Sequence, residues 1–329
     1  MKKVVIRKTG GPEVLEIVDA PVPVPKDDEV LIDLKATGLN WSEVMIRRGD
    51  WPVDLSRGFT VGAEGAGVVE AVGGKVAHIK PGDHVANLEI LAYMEHDQGN
   101  YAEKIAVSAD KVLAIPGHMN FAEAASVPMA LLTAYDVLIN HSPLPETGTV
   151  IVTACTGSVG IAAMQLAHRR GLRVIGTTRA ESKKSLIASF GCDPVVYSDP
   201  IDLKEKVLGK VGEGGVDYVF DSIGGATATQ LLSLVNYNGT YTVYGNLDSS
   251  PLILPSNLLF NQIKIHGYVV LRNLADPKKM QGVWSEILPL LATKEVIIPV
   301  HKTFPFNKVA EAHGAMERHS HFGKLVLVR

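Results

Sequence analysis

Thr149-Val150-Ile151-Val152-Thr153-Ala154-Cys155-Thr156-Gly157-Ser158-Val159-Gly160 decides the fold. A short β run leads into a glycine turn and then into Val159 to Arg170, where Ile161, Met164, Gln165 and Ala167 recur at helical spacing. Strand, glycine turn and helix in that order bring backbone N–H groups and a helix N-terminus to one point, the arrangement that binds a pyrophosphate. The G-x-G-x-x-G fingerprint is met in part, because Cys155 stands at its first glycine, or Ala154 if the motif is read A-x-x-G-x-x-G. An ordinary βα turn is the competing reading.

The same alternation continues downstream. Arg173 to Thr177, Val195 to Tyr197, Val216 to Asp221 and Gly239 to Tyr244 read as strands, separated by helix-patterned Glu181 to Phe190, Asp202 to Leu208 and Ala226 to Leu234. That order predicts an α/β, doubly wound parallel sheet. Upstream, from Met1 to about Pro116, the chain is all-β in texture, with short runs at Val4 to Ile6, Glu29 to Leu34, Gly67 to Val72 and Lys111 to Ile115 set between Gly and Pro. After Ile263 to Val270 the pattern is mixed: helix at Lys278 to Ala292, strand at Val296 to Ile298, helix at Lys308 to Arg318, strand at Leu325 to Val328. We therefore expect residues 1–120 and 265–329 to build one domain, with a nucleotide-binding domain at 121–264 inserted between them.

Length and composition agree with this division. The 329 residues correspond to roughly two domains at about 150 residues each. Hydrophobic residues make up 46%, charged residues 20%, and 32 Lys+Arg against 35 Asp+Glu leave a net charge of −3, which argues against disorder and against a nucleic-acid partner. The apolar start is cut at Arg7, and Ser126 to Ile139 carries Pro128 and Asp136 and falls short of about 20 residues, so neither export nor a membrane span is expected and the protein reads as cytoplasmic. Two cysteines, Cys155 and Cys192, cannot build a Cys-rich zinc lobe.

The second strand of the nucleotide unit selects the cofactor. An acidic residue about 20 positions beyond the glycine turn binds a free ribose hydroxyl, and a cation accommodates a 2′-phosphate. Here that place holds Thr178-Arg179, with Lys183 close behind, which favours NADPH over NADH. A solvated helix start, with Glu181 pairing Arg179, is the alternative.

These residues resemble the medium-chain dehydrogenase/reductase superfamily, in its zinc-independent quinone oxidoreductase branch. The likeness covers essentially the whole chain and rests on Gly10 to Leu15, Gly38-Leu39-Asn40 before Arg47-Arg48-Gly49, Gly62 to Val69, Pro81 to Val85, Gly99 to Glu103, Leu132 to Tyr135, Gly157-x-x-Gly160 and Gly323 to Leu327. It implies a GroES-like β domain formed by both ends of the chain, an inserted Rossmann domain and a cleft between them. In zinc-dependent relatives a Cys stands near Asn40 and a His at Ala63; this chain has neither, so no metal is expected.

The resemblance also implies site residues. Thr133 resembles the threonine that touches the nicotinamide, Tyr197 the tyrosine near the adenosine phosphate, and Gly245-Asn246 the turn over the nicotinamide ribose, joining Gly157, Ser158, Val159 and Gly160 at the pyrophosphate. Asn40 resembles the Asn whose amide donates to a substrate carbonyl. The branch's usual Asp and Tyr are replaced by Glu43 and Met45, and Trp51 stands where a second Tyr is usual, so Glu43 is a candidate acid. Tyr93, in the loop Glu89 to Gln98 that replaces a smoother run before Gly99, is a second catalytic candidate. Met45, Trp51 and Glu64 are expected in a substrate pocket suited to a bulky or aromatic molecule. Arg47, Arg48 and Arg57 are candidates for a basic rim.

The expected activity is hydride transfer from NADPH to quinones or activated C=C bonds. An enoyl reductase acting on a thioester or carrier-bound substrate is the alternative, and a low-turnover NADPH-binding structural or regulatory protein is a third reading. A homodimer paired through Gly239 to Tyr244 or Ile263 to Val270 is also expected.

Overall fold

The computed structural model describes residues 1–56, 58–89 and 98–329, with Glu213 and Asn273 described in backbone only. Tyr93 and Arg57 lie outside the described residues. The chain forms two compact units, Met1–Leu132 with Leu274–Arg329, and Thr133–Asn273. Both boundaries lie later than expected. Helix Phe121–Ala124 packs on the sheet of the first unit, and the strand Lys264–Gly267 adds to the sheet of the second.

In the first unit, β1 (Lys2–Ile6) and β2 (Leu15–Asp19) form an antiparallel ribbon. The main sheet has the order β14 (Val300–Pro305), β15 (Lys324–Val328), β3 (Glu29–Gly38), β4 (Glu64–Val72), β5 (His84–Leu88), β7 (Val112–Ala114), with β6 (Lys104–Ser108) also on β3. Val30, Ile32 and Leu34 alternate along β3 and pack with Val69, Val85, Ile105 and Val107 in a hydrophobic core, as the period of two requires. The chain's last strand pairs with β3, Val326 opposite Gly38, so both ends of the sequence build one sheet. Val296 to Ile298, expected as a strand, is not one. Val296 and Ile298 are buried, but pairing with β15 begins only at Val300, opposite Lys324.

In the second unit, β8 (Thr149–Val152), β9 (Arg173–Thr178), β10 (Asp193–Val196), β11 (Val216–Asp221), β12 (Val235–Val243) and β13 (Lys264–Gly267) form a wholly parallel sheet in the order β10-β9-β8-β11-β12-β13. Ile151, Ile175, Val219 and Tyr241 from the strands meet Leu203, Val207, Leu231 and Leu232 from the helices in its core. The order reverses between β8 and β11, and in such sheets the crevice beyond the carboxyl ends of those strands is where ligands bind. Glu181 to Phe190 is a 3-10 turn followed by the helix Lys184–Ser189, not one continuous helix. Gly239 to Tyr244 lies largely within β12, an interior strand flanked by β11 and β13, which leaves only β13 of the two expected segments at the sheet edge. Helix runs over the 21 residues Phe121–His141, longer than the expected stretch Ser126 to Ile139, and most of it is buried as in a core helix.

Candidate functional site

The nucleotide unit gathers its candidate residues at the carboxyl ends of its strands. Thr153 to Gly157 follow β8, Arg179 follows β9, Tyr197 follows β10, Ser222 to Gly224 follow β11, and Gly245 and Asn246 follow β12. Helix Ser158–Arg169 starts at Gly157 with no side-chain cap, leaving its first turn to an external acceptor. Gly157, Ser158 and Val159 are partly open, while Gly160 is buried. A Cβ at Gly160 would stand 2.6 Å from Cys155 Cα, so only glycine lets the helix approach the strand end this closely. Cys155 is fully buried and its thiol is pushed up by that burial, the environment of a filler rather than a nucleophile.

Asp221, buried at the end of β11, joins the two sides of the switch point. It accepts from Thr153 Oγ1 at 2.6 Å, from the Ile223 and Gly224 amides at 2.9 Å, and from Tyr241 Oη at 3.0 Å. The sequence reading placed Asp221 only as a strand terminus. Arg179 is exposed, and its guanidinium lies 5.8 Å from the centre of the Tyr197 ring. Glu181 bonds Lys184 at 3.3 Å, and no Glu181–Arg179 pair is seen. Lys183 is half-buried, and that burial lowers its ammonium from the usual lysine range. Thr178 is buried, and its Oγ1 accepts from the Ala180 amide at 3.2 Å. Thr133 is buried within the same unit. The open glycine turn, the uncapped helix start and the exposed Arg179 suit a dinucleotide phosphate.

The first unit carries a second cluster. At its far end β3 is flanked on both sides, with Gly38 opposite Glu64 of β4 and opposite Val326 of β15. This pairing brings Asn40, Glu64 and Lys324 together from distant parts of the chain. Asn40 caps helix Trp41–Arg48, and its backbone N–H donates to Glu43 Oε2 in a capping box. Its Nδ2 donates to Glu64 Oε1 at 3.1 Å and more distantly to Glu43 Oε1 at 3.4 Å, and its Oδ1 accepts from Lys324 Nζ at 2.6 Å. Lys324 and Glu64 form an ion pair, and Glu64 Oε2 accepts from the Met129 amide at 2.8 Å.

Burial changes three expectations. Glu64, expected to line the pocket, is fully buried with both oxygens engaged, and holds Asn40 and Lys324 instead. Glu43 is fully buried too, accepting from the Ala63 amide at 3.0 Å, so its carboxyl does not reach a substrate. Burial drives that carboxyl up to about 7, against the backbone N–H groups of Ala63 and Asn40. Arg47 is no rim residue: it is buried and bonded to Gly10 O and Glu317, both at 2.5 Å. Arg48 is exposed and pairs with Asp50 at 3.2 Å. Met45 and Trp51 are half-buried and adjacent, with the Trp51 amide donating to Met45 O at 3.3 Å beyond the left-handed cap Gly49. Lys324, Tyr101 and His313 were absent from the expected site; the only signal for Lys324 was a charge opening the apolar run Leu325 to Val328.

Two family models match the chain: an alcohol dehydrogenase GroES-like domain at residues 26–128 and a zinc-binding dehydrogenase at residues 158–293. A quinone oxidoreductase from Pongo abelii is 30% identical over 314 residues, covering 95% of this chain and 93% of its own length. A highly reducing polyketide synthase from Gibberella zeae is 30% identical over 307 residues, covering 92% of this chain and 12% of that protein. Among solved structures, Escherichia coli quinone oxidoreductase complexed with NADPH superposes with a TM-score of 0.88 at 26% identity, with all of both chains covered.

Proposed function

Because the chain belongs to the medium-chain dehydrogenase/reductase superfamily, in its quinone oxidoreductase branch, we propose that it is an NADPH-dependent reductase of quinones or activated C=C bonds. The observation that carries this reading is Arg179, an exposed cation directly after β9 where a free ribose hydroxyl would call for an acid. A similar quinone oxidoreductase was solved with NADPH, which supports the same cofactor here. Gly157, Ser158, Val159 and Gly160 hold the pyrophosphate, Thr178, Arg179, Lys183 and Tyr197 the adenosine phosphate end, and Thr133, Gly245 and Asn246 the nicotinamide end.

When bound, NADPH supplies a hydride and leaves as NADP⁺. In an enone the hydride joins the β-carbon, the C=C π bond breaks, and its electron pair moves to the carbonyl oxygen. A solvent proton at the α-carbon completes the balance. Asn40 donates an Nδ2 hydrogen to the oxygen that gains charge, exchanging for it the long 3.4 Å contact to Glu43. Glu43 acts through Asn40, and Met45 and Trp51 supply apolar surface for the acceptor.

The polyketide synthase relative supports the second reading, an enoyl reductase on thioester or carrier-bound substrates. We also propose a cytoplasmic homodimer. Strand β13 is a sheet edge, and Leu259 and Phe260 beside it are 78% and 80% exposed, apolar surface that a second copy would cover. The test is NADPH consumption, with chelator present, against a quinone, an aliphatic enone, an aromatic enone and an enoyl thioester. Turnover of quinone or enone, faster with NADPH than NADH, is expected; turnover of the thioester alone establishes the second reading, and silence across the panel overturns both.

A further inference from the structure

We propose that Lys324 is a positioning residue for this reaction: its buried ammonium fixes which end of the Asn40 amide is offered to the substrate oxygen. The proposal rests on the reading of Asn40 as the donor. An Asn side chain fits its space equally well in either flip, and only its hydrogen-bond partners choose between them. Here Oδ1 faces the Lys324 ammonium at 2.6 Å, and Nδ2 faces the carboxylate of Glu64 at 3.1 Å. In the opposite flip the NH₂ group would meet the ammonium and the carbonyl oxygen would meet the Glu64 carboxylate, so both of these contacts would be repulsive. Charge therefore sets the orientation, and it leaves one Nδ2 hydrogen with only the long Glu43 contact.

The fold prepares this arrangement. Lys324 opens β15, its amide bonded to Pro299 O at 2.9 Å, while the Leu39 amide bonds Leu325 O at 3.0 Å. A Cβ at Gly38 would lie 2.8 Å from both Lys324 Cε and Glu64 Oε1. The missing side chain at Gly38 is the space through which the lysine stem reaches Asn40. Lys324 and Glu64 are 1% and 0% exposed, and a buried ion pair is seldom the most stabilising way to fill a core. A structural role alone gives no reason to aim the ammonium at the half-exposed Asn40. An ammonium at Oδ1 also draws electron density from the amide and sharpens its N–H as a donor.

The test uses the full chain and the enone acceptor. Lys324→Met combined with Glu64→Gln removes both charges together, so that neither is left alone in the core. The expected result is a cooperatively folding protein whose NADPH Kd, read by fluorescence quenching, stays within about twofold, while kcat falls about 10- to 100-fold, somewhat less than the loss of a whole oxyanion donor. Asn40→Ala is expected to lose about 100- to 1,000-fold, and the triple variant to lose no more than Asn40→Ala alone, because both act on one group. A folded double variant with wild-type kcat beside an impaired Asn40→Ala overturns the positioning role alone. Wild-type kcat in Asn40→Ala overturns the donor reading and this proposal with it. Should the double variant fail to fold, Lys324→Arg decides: it keeps the charge but replaces the compact ammonium with a planar fork, so a lower kcat at unchanged NADPH Kd supports the proposal and an unchanged kcat overturns it.

Discussion

Tyr101 Oη and His313 Nε2 lie 3.0 Å apart, with both side chains fully buried. Burial pushes the His313 imidazole down to about 3, helped by the nearby Arg47 cation, so the ring is neutral throughout the physiological range. The Tyr101 hydroxyl also meets the Glu43 carboxyl, and burial first, then that carboxyl's charge, holds the phenol well above its ordinary range. A line of buried polar groups thus runs from helix Val309–Glu317 through Tyr101 to the capping box of Asn40.

The two ends of that line have opposite effects on stability as pH changes. The Glu43 carboxyl is raised from 4.5 to about 7, so the folded protein binds a proton that the unfolded chain has released, and the stability this provides is present below pH 4.5 and lost as pH rises through 7. Linkage makes the loss roughly 3 kcal/mol. His313 is depressed, so its contribution is present above 6.5 and lost as pH falls toward 3. Chemical denaturation across pH 4.5 to 7 is expected to show the stability of wild type relative to Glu43→Gln falling with pH, and that of wild type relative to His313→Gln rising over the same range. A flat difference for Glu43→Gln would mean that its carboxyl is not held in the protonated form.

Arg179→Ala is expected to raise the KM for NADPH about 10- to 100-fold, the equivalent of losing a charged hydrogen bond worth about 1.5–3 kcal/mol, and to leave the KM for NADH within about twofold. Steady-state kinetics with both nucleotides checks this. Equal losses for both nucleotides would indicate that Arg179 supports Tyr197 rather than reads a 2′-phosphate.

Local order made the nucleotide unit legible in the sequence: Thr149–Val152, the glycine turn and Ser158–Arg169 are contiguous, and each suits its state by periodicity alone. The Asn40 cluster was not legible, because the Lys324–Asn40 bond spans 284 residues and exists only through the pairing of β15 with β3. Glu43 and Glu64 were visible as acids, but Glu43 is buried against the Ala63 amide and Glu64 against Lys324 and the Met129 amide, partners that no spacing rule connects to them. Val296 to Ile298 is no strand because a short apolar run marks burial, whereas a strand also needs a partner in register.

Gly160→Ala is expected to damage both fold and cofactor binding. The added methyl would stand 2.6 Å from Cys155 Cα and 2.9 Å from its carbonyl carbon, backbone atoms that cannot turn aside, and overpacking of this kind costs about 1–3 kcal/mol. A lower melting temperature together with weakened NADPH binding is the expected outcome. Gly157→Ala, where the nearest atom is Ala154 O at 3.5 Å, is expected to spare stability and weaken NADPH alone. Differential scanning fluorimetry with and without NADPH separates the two effects.

Phe260→Glu is expected to convert a dimer to a monomer at micromolar concentration, read by light scattering. Leu259 and Phe260 end the short helix Asn257–Phe260, one short turn ahead of the edge strand β13, whose Ile265 is itself 41% exposed. Two copies of β13 related by a two-fold axis would continue the sheet and cover these side chains together. A charge at Phe260 would then be buried without a partner. The same substitution on a free surface would change neither mass nor NADPH binding. A wild-type protein that is monomeric at micromolar concentration would overturn the dimer, and leave this apolar edge to some other partner.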